Sequence, residues 1–277
     1  MFHFFSKTSL AFLLILFSLP VFSQGDLLIT PKRLVFEGNK RIEEINLANI
    51  GKDSATYTIS FTQYKMNEDG SFEQIPDTDT TQRFAHRNLR FFPRTVTLAP
   101  KEAQSVKVQV IRINELQTGE YRSHLFFRAV PRKKALGEEP AEVKADSGIS
   151  IKLTPVYGIS IPLIIRVGET AVAASITNTL FSIDKQTAKP VLKLTLNRTG
   201  NISAYGDITV THISKDNKIT QVGFLRGLAV YLPNTKRNIS MLLEKSASVD
   251  FASGKLRVVY SDQSPKPQSI CEQEILL

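Results

Sequence analysis

Four histidines are the first residues to examine for chemistry: His3, His86, His124 and His212. His3 lies in an N-terminal segment with the features of an export signal. The other three are far apart and lack the spacing of metal ligands. His124 and His212 fall within strand-like segments and read as ordinary strand residues. There is no Cys-x-x-Cys pair, no glycine-rich phosphate loop and no Gly-x-Ser-x-Gly elbow. Cys271 is the only cysteine, so no intramolecular disulfide can form, and the residue reads as a small apolar member of the last strand. The expectation is a protein without catalysis, metal or cofactor.

What the chain offers instead is positive charge and β-sheet. Its net charge is +9, of which Lys7 supplies one within the first 23 residues, leaving +8 beyond them. Such a balance suits acidic protein groups, anionic surfaces or nucleic acid. The Lys and Arg residues are scattered rather than clustered in runs, and an export signal argues against nucleic acid. Lys7 followed by the apolar stretch Leu10–Val21 and then Val21-Phe22-Ser23 has the anatomy of a secretory signal peptide. The stretch is about 12 residues, short of the roughly 20 that span a bilayer. Cleavage after residue 23 predicts an exported chain with no membrane span. Three Asn-x-Ser/Thr patterns, at Asn197, Asn201 and Asn238, are short enough to arise by chance.

The elements are strands. Tyr57, Ile59 and Phe61 alternate with polar residues, as do Val106, Val108 and Val110, and Leu192, Leu194 and Leu196. A period of two means one face packed and one wet. Asn67-Glu68-Asp69-Gly70-Ser71 reads as a tight hairpin turn. Arg132 to Asp146 reads as a long polar loop, and Val167-Gly168-Glu169-Thr170 as a domain junction. The organisation expected is a signal peptide over 1–23, one domain over 24–168 and a second over 169–277. Regular short strands predict an all-β chain of two immunoglobulin-like β-sandwich domains, with a pair of jelly-roll or barrel domains as the structural alternative.

Several segments, taken in order, resemble the periplasmic pilus-assembly chaperones, the PapD-like family. They are Pro31–Gly38 with Arg33 before the apolar Leu34-Val35-Phe36, Ile45–Asn49, Phe92-Pro93-Arg94 through Leu98-Ala99-Pro100 to Val108, Tyr121–Phe127 with Pro131, and Tyr157–Arg166. The likeness covers roughly 27–168. Beyond that it rests on Gly254–Tyr260 alone. It implies binding of pilus or fimbrial subunit proteins, with an outer-membrane usher as a further partner. A family member lends an edge strand to a subunit that lacks one. Ile149, Ile151 and Leu153 alternate with Ser150 and Lys152 and are the strand-pairing candidates. Tyr157, Ile159, Ile161 and Leu163 continue their parity but read mainly as core. Pro155 interrupts the ladder.

The resemblance also implies that a cleft arginine and a lysine anchor the subunit's C-terminal carboxylate. Arg33 matches the arginine. The lysine falls on Pro162, which cannot replace it, so Lys107 and Lys152 are the candidate substitutes. Arg166 matches an arginine that fixes the interdomain angle, with Asp262 as its expected acidic partner. The glutamate expected nearby falls on Ser123, which leaves that network incomplete. The competing reading is a structural or adhesive surface protein built of the same sandwiches.

Overall fold

The structure is a computed structural model and describes residues 27–131, 156–245 and 249–277. The expected signal peptide, the polar loop from Arg132, and Ile149, Ile151, Lys152 and Leu153 lie outside the described residues.

The chain is all-β and forms two sandwiches. The first contains β1 (Leu27–Thr30), β2 (Leu34–Phe36), β3 (Ile42–Asn49), β4 (Ala55–Met66), β5 (Phe72–Ile75), β6 (Leu89–Phe92), β7 (Thr95–Leu98), β8 (Ala103–Val110), β9 (Gly119–Ala129) and β10 (Gly158–Val167). The second contains β11 (Val172–Ile183), β12 (Pro190–Gly200), β13 (Ala204–Ile213), β14 (Ile219–Val230), β15 (Lys236–Leu242), β16 (Lys255–Ser261) and β17 (Ser269–Leu276). In the first, a sheet of order β1-β3-β8-β6 packs on one of order β2-β10-β9-β4-β5, with β7 also paired to β4. In the second, β11-β12-β15 faces β14-β13-β16-β17.

The period-two pattern becomes burial. On β8, Val106, Val108 and Val110 are buried while Lys107 and Gln109 are exposed. On β12, Leu192, Leu194 and Leu196 fill the second core. In the first core Phe36, Ile45, Leu47, Leu98, Leu125, Phe127 and Leu163 are completely enclosed. Each such side chain contributes about 1.5–3 kcal/mol. Cys271 packs at the edge of the second core, and burial pushes its thiol up to about 11.

The opening of the first sandwich differs from the single strand expected over Pro31–Gly38. β1 pairs with β3 in one sheet, whereas β2 pairs in parallel with β10 in the other. The switch occurs at Pro31, which has no N–H to give to a ladder. Arg33 therefore stands at a crossover between sheets, immediately before β2.

Among the described residues, hydrogen bonds join the sandwiches at two places. In one, Glu120 on β9 receives hydrogen bonds from the Ser203 N–H (3.1 Å) and Ser203 hydroxyl and from Arg166 Nε (3.1 Å). In the other, the β4–β5 hairpin lies against β15. Asn238 N–H donates to Glu68 O at 2.6 Å, Asn234 Nδ2 donates to Met66 O at 2.7 Å, and Lys236 pairs with Glu68 at 3.2 Å. Gly70 at the hairpin tip has φ +86°, and a Cβ there would lie 2.3 Å from Arg237 Nη2. A side chain there would strain the backbone and displace the Arg237 guanidinium.

Candidate functional site: an open sheet edge leading into a cationic cleft

β10 is paired along its whole length with β9, from Gly158↔Arg128 to Val167↔Gly119. On its other side it meets β2 only at Leu163–Ile165. Among the described residues, Gly158–Pro162 has no partner on that outer side. The direction of its backbone groups follows from the ladder. Ala129 N–H donates to Tyr157 O at 2.9 Å, which makes that level a hydrogen-bonded pair. In an antiparallel ladder such pairs alternate. The N–H and C=O groups of Gly158 and Ser160, with the C=O of Pro162, therefore point to the open side. The same levels carry unusual apolar exposure. Tyr157 is 52% and Ile159 39% exposed, whereas Ile161 and Leu163 in the same row are 3% and 0% exposed. The core-facing row thus runs beyond the protein's own core.

Arg33 marks the inner end of this edge. The parallel register sets Leu34 against Leu163, so Arg33 stands level with Pro162 on the face opposite the core. Both residues line a cleft of about 1130 Å³ between the two sandwiches. Five cations, Lys32, Arg33, Arg166, Arg226 and Arg237, line it, and no carboxylate does so among the described residues. The far wall is aromatic. The Arg33 guanidinium carbon lies 4.0 Å from the Tyr205 ring centroid and 5.7 Å from that of Tyr231. Behind, Arg122 Cζ lies 4.1 Å from the Tyr231 centroid and its Nη2 donates to Tyr64 O (3.1 Å) and Gln82 Oε1 (2.7 Å).

Several donors of this cationic group are left without an acceptor. Arg33 Nε and Nη1, Arg122 Nη1, Arg237 Nε and His124 Nδ1 are shielded from water and have no hydrogen-bond partner. Unmade bonds of this kind are uncommon in folded proteins. Burial lowers Arg122 to about 10 and holds His124 down at about 3, so His124 is neutral near pH 7. Burial likewise raises the Tyr231 phenol. With its arginines charged and His124 neutral near pH 7, the cleft presents fixed positive charge.

The sequence-predicted residues are divided by the fold. Arg33 lies in the cleft. Lys107 is exposed on β8, in the sheet away from β10, between Glu44 and Phe92 of neighbouring strands, and does not line the cleft. Lys152 and the strand-pairing candidates Ile149, Ile151 and Leu153 lie outside the described residues. Arg166 does bridge the domains, donating to Glu120, to Glu37 Oε2 at 3.4 Å and to Ser203 O at 3.4 Å. Asp262 is not its partner. Its carboxylate instead holds its own loop, accepting from Ser264 and Gln268. The acid lies three residues before Ser123, at Glu120, while the Ser123 hydroxyl accepts from Ala85 and His86 N–H groups. Sequence reasoning missed Arg237, Tyr205 and Tyr231, none of which carries a signal in its spacing.

No family model matches the chain, and no curated protein matches its sequence. Solved structures do align with it. The YadV chaperone aligns at 12% identity and a TM-score of 0.44, over 91% of this chain and all of that one. The CupB2 chaperone of Pseudomonas aeruginosa aligns at 11% and 0.42, over 90% of this chain and 100% of that one. A chain of the CsuC–CsuE chaperone–tip adhesion subunit complex of Acinetobacter baumannii aligns at 15% and 0.42, over 90% and 97%. Along about nine-tenths of its length, this chain aligns with these solved structures, two of them chaperones and one a chaperone–tip adhesion subunit complex of Csu pili.

Proposed function

We propose that the protein is a periplasmic assembly chaperone that lends the outer edge of β10 to a pilus or fimbrial subunit lacking a strand. The observation that carries this reading is the unpaired edge Gly158–Pro162 ending at Arg33. A foreign strand added there occupies the line that β2 follows farther along the sheet. Running parallel to β10, as β2 does, it ends at the level of Pro162 with its C-terminus against Arg33. A terminal carboxylate is the group that an unpartnered guanidinium receives best, through charge-assisted hydrogen bonds. Tyr157 and Ile159 extend an apolar row outward, and strand addition places alternate side chains against such a row. Ile149, Ile151 and Leu153, which precede β10 in the chain and lie outside the described residues, belong to this reading as the further strand-pairing residues. An outer-membrane usher as a further partner belongs to this reading.

Co-purification from the exporting host tests it. The expected result is a one-to-one complex with a small β-rich exported protein, lost on Arg33→Ala. A chain that purifies alone, or is found within a surface fibre, overturns the proposal in favour of a structural surface protein.

A further inference from the structure

We infer that the carboxylate site is shared between the two sandwiches, with Arg237 of the second domain supplying the second cation opposite Arg33. This inference rests on the proposed function and adds a partner residue that neither the sequence pattern nor the first domain provides. Pro162 stands where a lysine was expected, Lys107 lies on another sheet, and Arg166 is engaged with Glu120 and Glu37. Arg237 lines the same cleft as Arg33. Its Nη1 donates to Ala229 O at 2.9 Å, which fixes the guanidinium, while its Nε is shielded and has no hydrogen-bond partner. Its position is set from two sides. β15 carries it into the cleft, and the β4–β5 hairpin of the first domain closes on it at Gly70. At the hairpin tip, Asp69 Oδ1 accepts from the Ser71 N–H and hydroxyl, and the Asp69 charge acts on Arg237.

Two arginines held by separate domains around Tyr231 and Tyr205 make an anion site that is complete only when the domains are docked. A bound carboxylate then joins them, so ligand and interdomain geometry are coupled. Neither guanidinium needs to be drawn away from an acidic partner within the cleft, because the lining has none.

The test uses the full exported chain and two synthetic ten-residue peptides of alternating valine and threonine, one with a free C-terminal carboxylate and one amidated. Titration calorimetry gives the acid-over-amide affinity ratio for wild type, Arg33→Ala, Arg237→Ala and Arg237→Lys. The expected result is a preference for the acid in wild type that falls by about tenfold in each alanine variant, the factor for one lost hydrogen bond to a charged group. Arg237→Lys retains the charge and part of the preference. If Arg237 served only to pack the hairpin, Arg237→Ala would weaken acid and amide equally and leave the ratio intact. A ratio abolished by Arg33→Ala but unchanged in both Arg237 variants overturns the shared site and leaves the proposed function standing. A wild-type ratio of one overturns carboxylate anchoring itself.

Discussion

The guanidinium of Arg33, from the first sandwich, rests 4.0 Å from the ring centroid of Tyr205, from the second. The cation is positioned by the face of an aromatic ring, an attraction that leaves its N–H groups uncommitted. An ion pair would fix an arginine as well but would occupy the donors a ligand requires. The same contact spans the domains, so it contributes to their docking.

That contribution can be measured. Cation–π contacts contribute about 0.5–2 kcal/mol according to desolvation. A double-mutant cycle of Arg33→Met and Tyr205→Leu in urea denaturation is expected to give a coupling of about 1 kcal/mol. Strict additivity would mean that the ring merely abuts the arginine.

The row along β10 separates binding from stability. Ile161→Thr places a hydroxyl in a closed core and is expected to cost about 2 kcal/mol or more. Ile159→Thr and Tyr157→Thr alter partly open positions and leave a β-branched residue at each, so each should change stability by less than about 1 kcal/mol. The pair should nevertheless weaken binding of the free-acid peptide. Equal destabilisation at 159 and 161 would show that both residues serve only the protein's own core.

Glu120 is the centre of the interdomain network. Its side chain is 1% exposed, and it accepts from Arg166 and twice from Ser203. Arg166→Ala leaves a buried carboxylate short of its cation and should cost about 3 kcal/mol. Adding Glu120→Gln should recover part of that loss, because the uncompensated charge is then removed. Thermal unfolding of the single and double variants decides it. A double variant as unstable as the sum of the singles would exclude the pairing.

His124 gives the fold a pH dependence. Burial, with a smaller effect from the Arg122 charge, lowers it from 6.5 to about 3. Between these values the unfolded chain binds the proton and the folded chain does not, so stability is present above pH 6.5 and falls as pH falls toward 3. The slope from one such group approaches about 1.4 kcal/mol per pH unit. His86, also lowered mainly by burial, acts in the same direction. Denaturation midpoints from pH 7 to pH 5 should decline in wild type and flatten in His124→Phe, which keeps an aromatic ring beside Tyr64 and Phe72. An unchanged slope would remove His124 as the cause.

The fold was legible because a pleated strand writes its buried face into every second residue. Val106, Val108 and Val110 needed no tertiary knowledge. Arg33 stood out only through the resemblance of its segment, before Leu34-Val35-Phe36, to a known family; the structure places it in the cleft. The partner of Arg166 was not. It is Glu120, directly across the β9–β10 ladder, and that register depends on pairing across the long intervening segment. Lys107 sits between two core valines, so its own alternation turns it away from the interior, while which sheet it joins is decided by pairing with β3 and β6. Arg237 and Tyr205 belong to the cleft only because a second domain docks there. Such long-range placement leaves no periodic mark on the chain.

Pro162 has a consequence for selectivity. Its nitrogen points to the outer side of β10 and carries no hydrogen, and one residue farther β2 already occupies that side. On the proposed function, a visiting strand meets a stop at one fixed level. It cannot slide deeper, and one that halts a residue early turns its apolar side chains to the wrong face. On that reading the proline is an end-gauge, admitting chains whose last residue falls at one distance from their alternating side chains.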